Sequence, residues 1–374
     1  MANQLEDLIE AGQSIWLDNI ERSMFASGEL RRLVALGLRG MTSNPSIFEK
    51  AINGGHAYDA QIESLVGKVS EPNFIFEAIA IDDIRAALDE FRNLYDTSGG
   101  GDGFVSLEVS PLLAHDTPGT IGAAHHLWEA VDRPNLMIKI PGTAEGVPAI
   151  TAAIAAGINV NVTLLFSLDA YERAAEAYIA GLELRAAAGQ SIAGIASVAS
   201  FFLSRIDTAV DEELERKIAA GQAELSSLLG TAATGSAKLA YARFEKVFSG
   251  ERFEKLEAKG ARVQRPLWAS TSTKNPKYSD LLYVETLVGP HTVNTVPPKT
   301  LDALLDHGKV SAGTVERGVT EARAAFAALA QAGIVLDHIT EALSVAGVAS
   351  FASAYKNMLD AIAAKQKHLA HAGA

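Results

Sequence analysis

A lysine, two carboxylates and a set of amides and hydroxyls recur at the ends of short apolar segments in this chain. Lys139 lies within Asn135-Leu136-Met137-Ile138-Lys139-Ile140-Pro141-Gly142-Thr143, a run that reads as a buried β-strand. An ammonium is costly to keep out of water. Burial therefore favours the neutral amine, which is a nucleophile toward carbonyl carbon. By itself the segment favours a plainer reading, in which the lysine snorkels to solvent or pairs with a carboxylate. Other segments change that balance, because side chains on a strand alternate faces. In 159–165, Asn159, Asn161 and Thr163 share one face, while Val160, Val162 and Leu164 share the other. The same parity sets Lys139 with Met137, Glu108 with Ser106, and Asp18 with Trp16, each pair opposite branched apolar residues. Thr42 and Asn44 fall together just beyond another apolar run. A structural ion pair accounts for either carboxylate alone. Convergence of all these groups at one end of a fold would place an amine nucleophile beside two acid–base groups.

Such convergence needs a scaffold of parallel strands. Strand-like runs occur at 14–20, 38–43, 104–110, 136–140, 159–165, 192–199, 265–270 and 291–296, and amphipathic stretches such as 82–95, 145–156 and 168–188 separate most of them. Strand–helix alternation implies parallel strands joined by crossover helices. Eight of them fit an α/β fold of the (β/α)8 TIM-barrel type, in which active-site residues gather at strand C-termini. An open doubly wound sheet is the rival, weakened because no GxGxxG follows the first strand. The expectation is one barrel domain over residues 1–374, with helical elaborations around 202–260 and a helical tail over 301–374. Gly99-Gly100-Gly101-Asp102-Gly103 reads as a helix-to-strand loop, since its glycines do not precede a helix.

Composition narrows the function. The 374 residues carry a net charge of −13 with no Lys/Arg-rich run, which disfavours nucleic acid and anionic membranes as partners. An anionic ligand would need local Arg or Lys groups working against that field. With no cysteine there is neither a disulfide, nor a thiolate metal site, nor a cysteine nucleophile. His125-His126 and His368 with His371 lack the carboxylate spacing of a metal centre and read as surface histidines. No signal-peptide pattern is visible, and the apolar stretch 333–349 is broken by Asp337, His338 and Glu341. These features lead to the expectation of a cytoplasmic, soluble protein without a metal, and the sequence leaves monomer and homodimer both open.

Thr42-Ser43-Asn44-Pro45-Ser46, Met137-Ile138-Lys139-Ile140-Pro141-Gly142-Thr143 and Asn159-Val160-Asn161-Val162-Thr163-Leu164-Leu165-Phe166-Ser167 resemble transaldolase motifs, in the family's order. The resemblance continues through Ser200-Phe201-Phe202-Leu203-Ser204-Arg205 and Leu267-Trp268-Ala269-Ser270-Thr271-Ser272-Thr273-Lys274-Asn275-Pro276. It covers roughly residues 14 to 300, and the combination is specific where single motifs are not. It implies a class I aldolase on a circularly permuted barrel, with no metal or organic cofactor, acting on sugar phosphates.

By the same resemblance, Lys139 forms a Schiff base with a ketose phosphate, Asp18 is the general base, and Glu108 works as acid/base through a water positioned by Thr163. Asn44 and Asn161 match residues that hold a dihydroxyacetone fragment, with Thr42 and Ser200 lining the same pocket. Arg205 matches a phosphate-binding arginine, against the plainer reading of a helix-surface arginine paired with Asp207 or Glu212. Ser270 and Lys274 are assigned to the phosphate as well. Here the chain departs from the short transaldolases, which carry an arginine where Ser272 stands, and it looks more like the longer bacterial subgroup. Phe202 falls where transaldolases have Phe and fructose-6-phosphate aldolases usually have Tyr. The implied activity is transfer of a dihydroxyacetone unit. The alternatives are an aldolase-like lyase or a non-catalytic sugar-phosphate-binding protein.

Overall fold

The structure, a computed structural model, describes residues 3–372, with side chains through His368. Eight parallel strands close into a barrel in chain order: β1 (Gln13–Asp18), β2 (Gly40–Thr42), β3 (Phe104–Glu108), β4 (Leu136–Pro141), β5 (Val160–Leu165), β6 (Ser197–Phe202), β7 (Arg265–Ala269) and β8 (Thr292–Val296). The last strand pairs back onto the first, Ser14 lying opposite Val293. The strands are apolar on their outer face because helices cover it. Every residue of β4, β5 and β6 is buried. Trp16 fills the interior against β2, where a Cβ on Gly40 would meet its ring at 2.7 Å. No residue larger than glycine fits at that point without displacing the indole.

Seven of the expected strands lie within a residue or two of their observed starts, but the sixth does not. The run expected at 192–199 is a loop as far as Ala196, and β6 begins at Ser197. Gly194 at φ +90° turns the backbone there, and Ile192 and Ile195 are buried from a loop. A short apolar run reports burial, not strand geometry. Ser200 and Phe202 therefore lie on the strand itself, on one face near its C-terminal end.

After β6 come the helices Ser204–Ala219 and Ala232–Phe248. Two carboxylates tie them to the loop after β7. Asp207 accepts from Tyr283 Oη (2.7 Å) and Ala233 N (2.7 Å), and Asp211 from Tyr278 Oη (2.6 Å) and Gly230 N (2.9 Å). Burial pushes the Asp207 carboxyl up to about 6, the hydrogen bonds opposing it only in part. Because this value lies above the ordinary 3.8, the folded chain holds a proton the unfolded chain has lost. The associated stability is present below the unfolded value and disappears as pH rises through the folded one. Denaturant titrations should therefore show wild type losing on the order of 3 kcal/mol relative to Asp207→Asn between about pH 4 and pH 7. A pH-independent difference would mean the carboxyl is not perturbed.

The tail is helical over Pro298–His307, Val319–Gln331 and Leu336–Ala372, with 308–318 non-helical between the first two. In the last helix, Phe351, Tyr355, Met358 and Ile362 recur every three or four residues and are buried, the spacing of one helix face. The helix packs on the helices Pro45–Asn53, Asp59–Leu65, Pro72–Thr97 and Ser204–Ala219 and reaches β5. Burying side chains of this size stabilises by about 1.5–3 kcal/mol each. Lys365 adds hydrogen bonds to Gly55 O and Asp59. Among the described residues no single helix is long and apolar enough to cross a membrane.

Candidate active site

The parallel register between neighbouring strands sets the chemistry. Glu108 of β3 lies opposite Lys139 of β4, and Lys139 opposite Asn161 of β5. Lys139 is 4% exposed, and its Nζ donates to Glu108 Oε2 at 3.0 Å and to the Ser43 carbonyl at 3.1 Å. On the other side, Asp18 and Thr42 are partners in the β1–β2 register, and Thr42 Oγ1 donates to Asp18 Oδ1 at 2.7 Å. Thr295 on β8 lies 2.7 Å from the same hydroxyl. The amine thus stands between two carboxyl groups.

Burial pushes Asp18 and Glu108 above their usual range, while the Lys139 charge pulls both back down. For Asp18, the Thr42 hydrogen bond and the Lys50 charge also favour the ionised form. A base with a raised pKa loses activity on the acid side of its pH profile at a higher pH than an ordinary carboxylate does. Thr42→Val removes a hydrogen bond to the ionised form and raises Asp18 further. The acid limb of kcat/KM is therefore expected to move to higher pH in that variant. A limb that stays or moves down would show that Asp18 does not control it.

A cavity of about 530 Å³ opens above the amine at the C-terminal ends of the strands. Asp18, Thr42, Asn44, Lys139, Thr163, Ser200, Phe202, Arg205, Ser270 and Lys274 all line it. Of the residues singled out from the sequence, Glu108 and Asn161 are absent from its wall. Glu108 is held at the same level by Lys139 and lines a neighbouring cavity with Phe76 and Tyr355. Asn161 is fully buried, donates to Ser106 Oγ at 3.0 Å, and accepts from Ser200 Oγ at 2.7 Å. It therefore orients Ser200 from one layer below. Asn159, grouped with it by parity, sits at the opposite end of the barrel, where its amide bridges Pro134, Leu136 and Ala196.

Local structure explains how several of these groups are held. Asn44 caps the helix Pro45–Asn53, accepting from Ile47 N at 3.1 Å, with Pro45 at the first helical position. Thr163 Oγ1 is buried and has no hydrogen-bond partner among the described residues. Ser270 adopts φ +56°, and its Oγ lies 2.9 Å from Ser204 Oγ, joining the end of β7 to the helix bearing Arg205. Arg205 lies over the Phe202 ring, 5.7 Å from its centroid. Among the described residues it has no carboxylate within ion-pair distance, so the expected alternative pairing with Asp207 or Glu212 does not form. Its burial disfavours the charged form, and a guanidinium held in this way is suited to an anion.

Lys50, Thr295 and Phe351 also line the cavity and escaped the sequence reading. Strand parity does not single out Thr295, because it shares a face with Val293 while Thr292 and Asn294 occupy the other. Nothing local distinguishes Lys50 or Phe351. A second cavity of about 560 Å³ lies at the other end of the barrel, around Gln13, Trp16 and Met137, with no lysine in its wall. Chemistry, not size, separates the two. His126 is an exposed partner of Glu77 and His368 is exposed, while the side chain of His371 lies outside the described residues. Among the described residues no group of three or more His, Cys, Asp or Glu could hold a metal ion.

Fold and site together define a barrel enzyme with a buried amine, carboxyl partners at its base and cations at its rim, a layout suited to covalent carbonyl chemistry on an anionic substrate. Comparison with known proteins makes the class specific. The profile of the family described as Transaldolase/Fructose-6-phosphate aldolase matches residues 15–362, and the chain belongs to that family. A transaldolase of Mycobacterium ulcerans (strain Agy99) is 47% identical over 375 residues, covering 99% of this chain and 100% of the relative. Transaldolase 1 of Streptomyces coelicolor is 48% identical over 362 residues, covering 96% and 94% respectively. A Parafrankia transaldolase is 48% identical over 363 residues, covering 97% and 98%. The chain is accordingly an enzyme, a transferase of the transaldolase kind.

Proposed function

We propose that the chain moves a dihydroxyacetone unit between ketose and aldose phosphates through a Schiff base on Lys139, converting sedoheptulose 7-phosphate and glyceraldehyde 3-phosphate to erythrose 4-phosphate and fructose 6-phosphate. The observation that carries this reading is the Lys139 amine, 4% exposed and 3.0 Å from Glu108, beneath a cavity large enough for a sugar phosphate.

The deprotonated amine attacks C2 of the ketose. Glu108, acting through a water oriented by the unpartnered Thr163 hydroxyl, protonates the departing C2 oxygen, which leaves as water. The resulting iminium is an electron sink. Asp18 takes the C4 hydroxyl proton, the C3–C4 bond breaks with its electrons flowing to nitrogen, and the aldose leaves. An enamine of dihydroxyacetone remains on Lys139, held by Asn44, Thr42 and Ser200, with Asn161 setting Ser200. The acceptor aldehyde then adds to it, Asp18 returns its proton to the new alkoxide, and water hydrolyses the new iminium at C2, breaking the C2–N bond to release the ketose and the free Lys139 amine. Holding the enamine until an acceptor arrives is what makes a transferase. Phe202 favours that outcome, since its ring offers no hydroxyl to steady a water that could protonate the enamine. Arg205, Ser270 and Lys274 bind phosphate at the rim, supplying the local cations that an acidic protein needs for an anionic substrate.

Borohydride reduction with fructose 6-phosphate should leave a covalent adduct located to Lys139 by peptide mass spectrometry. Coupled assays should yield products only when an acceptor aldehyde is present. Acceptor-independent release of dihydroxyacetone would indicate the lyase instead. Absence of any adduct would leave a binding protein.

A further inference from the structure

We propose that Phe351, on the C-terminal helix, sets the balance between the iminium and the enamine of the covalent intermediate through the face of its ring. The proposal rests on the Schiff-base reading of Lys139. The ring centroid lies 5.5 Å from Lys139 Nζ, within the range over which an aromatic face attracts a cation. Phe351 is 4% exposed and lines the mouth cavity, so the contact is desolvated.

The fold holds the ring there. One turn earlier, Gly347 lets the helix press onto the barrel: a Cβ at that position would come within 3.1 Å of Leu164 Cδ2 and 3.6 Å of Arg205 Nη1. One turn later, Tyr355 packs edge-on against Phe76 at 5.6 Å between ring centroids. Phe351 is therefore clamped on both sides along the helix axis.

Besides the charge of Asp18, three close contacts surround Nζ, and they respond differently to covalent chemistry. Glu108 Oε2 and the Ser43 carbonyl each accept an N–H from the ammonium. An ammonium has three N–H bonds, whereas a protonated ketimine has one. On iminium formation at least one of these two hydrogen bonds is lost, and Glu108 also changes charge as it relays protons. Attraction to the ring face needs no N–H and does not titrate. It persists in the iminium and vanishes in the enamine, whose nitrogen is neutral. Phe351 therefore raises the iminium share of the covalent intermediate, by an amount that corresponds to about twofold to thirtyfold in the ratio.

The test replaces Phe351 with mono-, di- and trifluorophenylalanine, which keep the ring's shape while draining its negative face. With fructose 6-phosphate and no acceptor, borohydride captures the iminium and hexacyanoferrate(III) oxidises the enamine, so the two yields give the ratio. The logarithm of the iminium-to-enamine ratio is expected to fall stepwise with each fluorine, while the melting temperature stays within a few degrees. Phe351→Leu should show the full loss. A ratio that is flat across the fluorinated series overturns the proposal while leaving the Schiff base in place. Failure of the unsubstituted enzyme to form any adduct overturns the Schiff-base reading itself, and this proposal with it.

Discussion

Lys139→Arg should yield a folded barrel with turnover reduced about 10⁴- to 10⁶-fold and no borohydride adduct. An arginine stays protonated at any working pH, so it offers no lone pair to C2. The fold should tolerate it because the guanidinium can still donate to Glu108 and the Ser43 carbonyl, and because the cavity above gives the longer group room. Keeping a cation at this position matters for stability. Removing one partner of a buried ion pair typically costs about 3–5 kcal/mol. In Lys139→Ala that cost is offset in part, since burial already pushes the Glu108 carboxyl toward its neutral form. Circular dichroism melts, a coupled assay and mass spectrometry after borohydride treatment check the three parts of the expectation. Lys50 and Lys274 line the same cavity and are exposed. Wild-type-like turnover in Lys139→Arg, or an adduct on either of those lysines, would place the nucleophile elsewhere.

Asp18→Asn should separate bond cleavage from Schiff-base formation. A positioned acid–base group contributes about 10²–10⁴-fold in rate, and a loss of that size in kcat is expected. The borohydride adduct should nevertheless form, because in the proposed mechanism attack on C2 and loss of its oxygen use Glu108 and not Asp18. An asparagine oxygen can still accept the Thr42 hydroxyl, so the local geometry has no reason to collapse. Neutralising a buried carboxyl also removes its desolvation cost, and the variant should melt no lower than wild type. Glu108→Gln is the counterpart: adduct formation itself should slow. Rapid-quench trapping reads both. If Asp18→Asn abolished the adduct, its assignment to the C4 hydroxyl would be wrong.

The placement of Lys139, Glu108, Asp18 and Thr42 was legible from strand parity, because alternation is a property of the extended backbone and needs no tertiary information. Parity says nothing about depth. It grouped Asn159 with Asn161 and Thr163, yet a strand rises about 3.3 Å per residue, so Asn159 falls at the barrel floor while Thr163 reaches the mouth. The sixth strand was misplaced because burial of Ile192 and Ile195 imitates a strand in sequence. Gly194 turns the backbone at that point, and a glycine alone does not announce its φ. Ser200 and Phe202 were consequently assigned to the pocket by family resemblance, without the strand that presents them.

By itself, the sequence determined the residue types, their faces and their chain order. Those are local quantities, set by covalent geometry and by which segments must leave water. Tertiary structure decided which groups meet. Glu108 reaches Lys139 because β3 and β4 pair in one register and not another, and a slip of one residue would turn the carboxylate to the helices. The same holds for the tail, whose apolar stripe is equally suited to covering its own barrel or a second chain. Packing against four helices and β5 brings it home, and so places Phe351 over an amine more than two hundred residues away in sequence. Contacts at that separation have no local signature, because the energy that selects them is released only when the barrel closes.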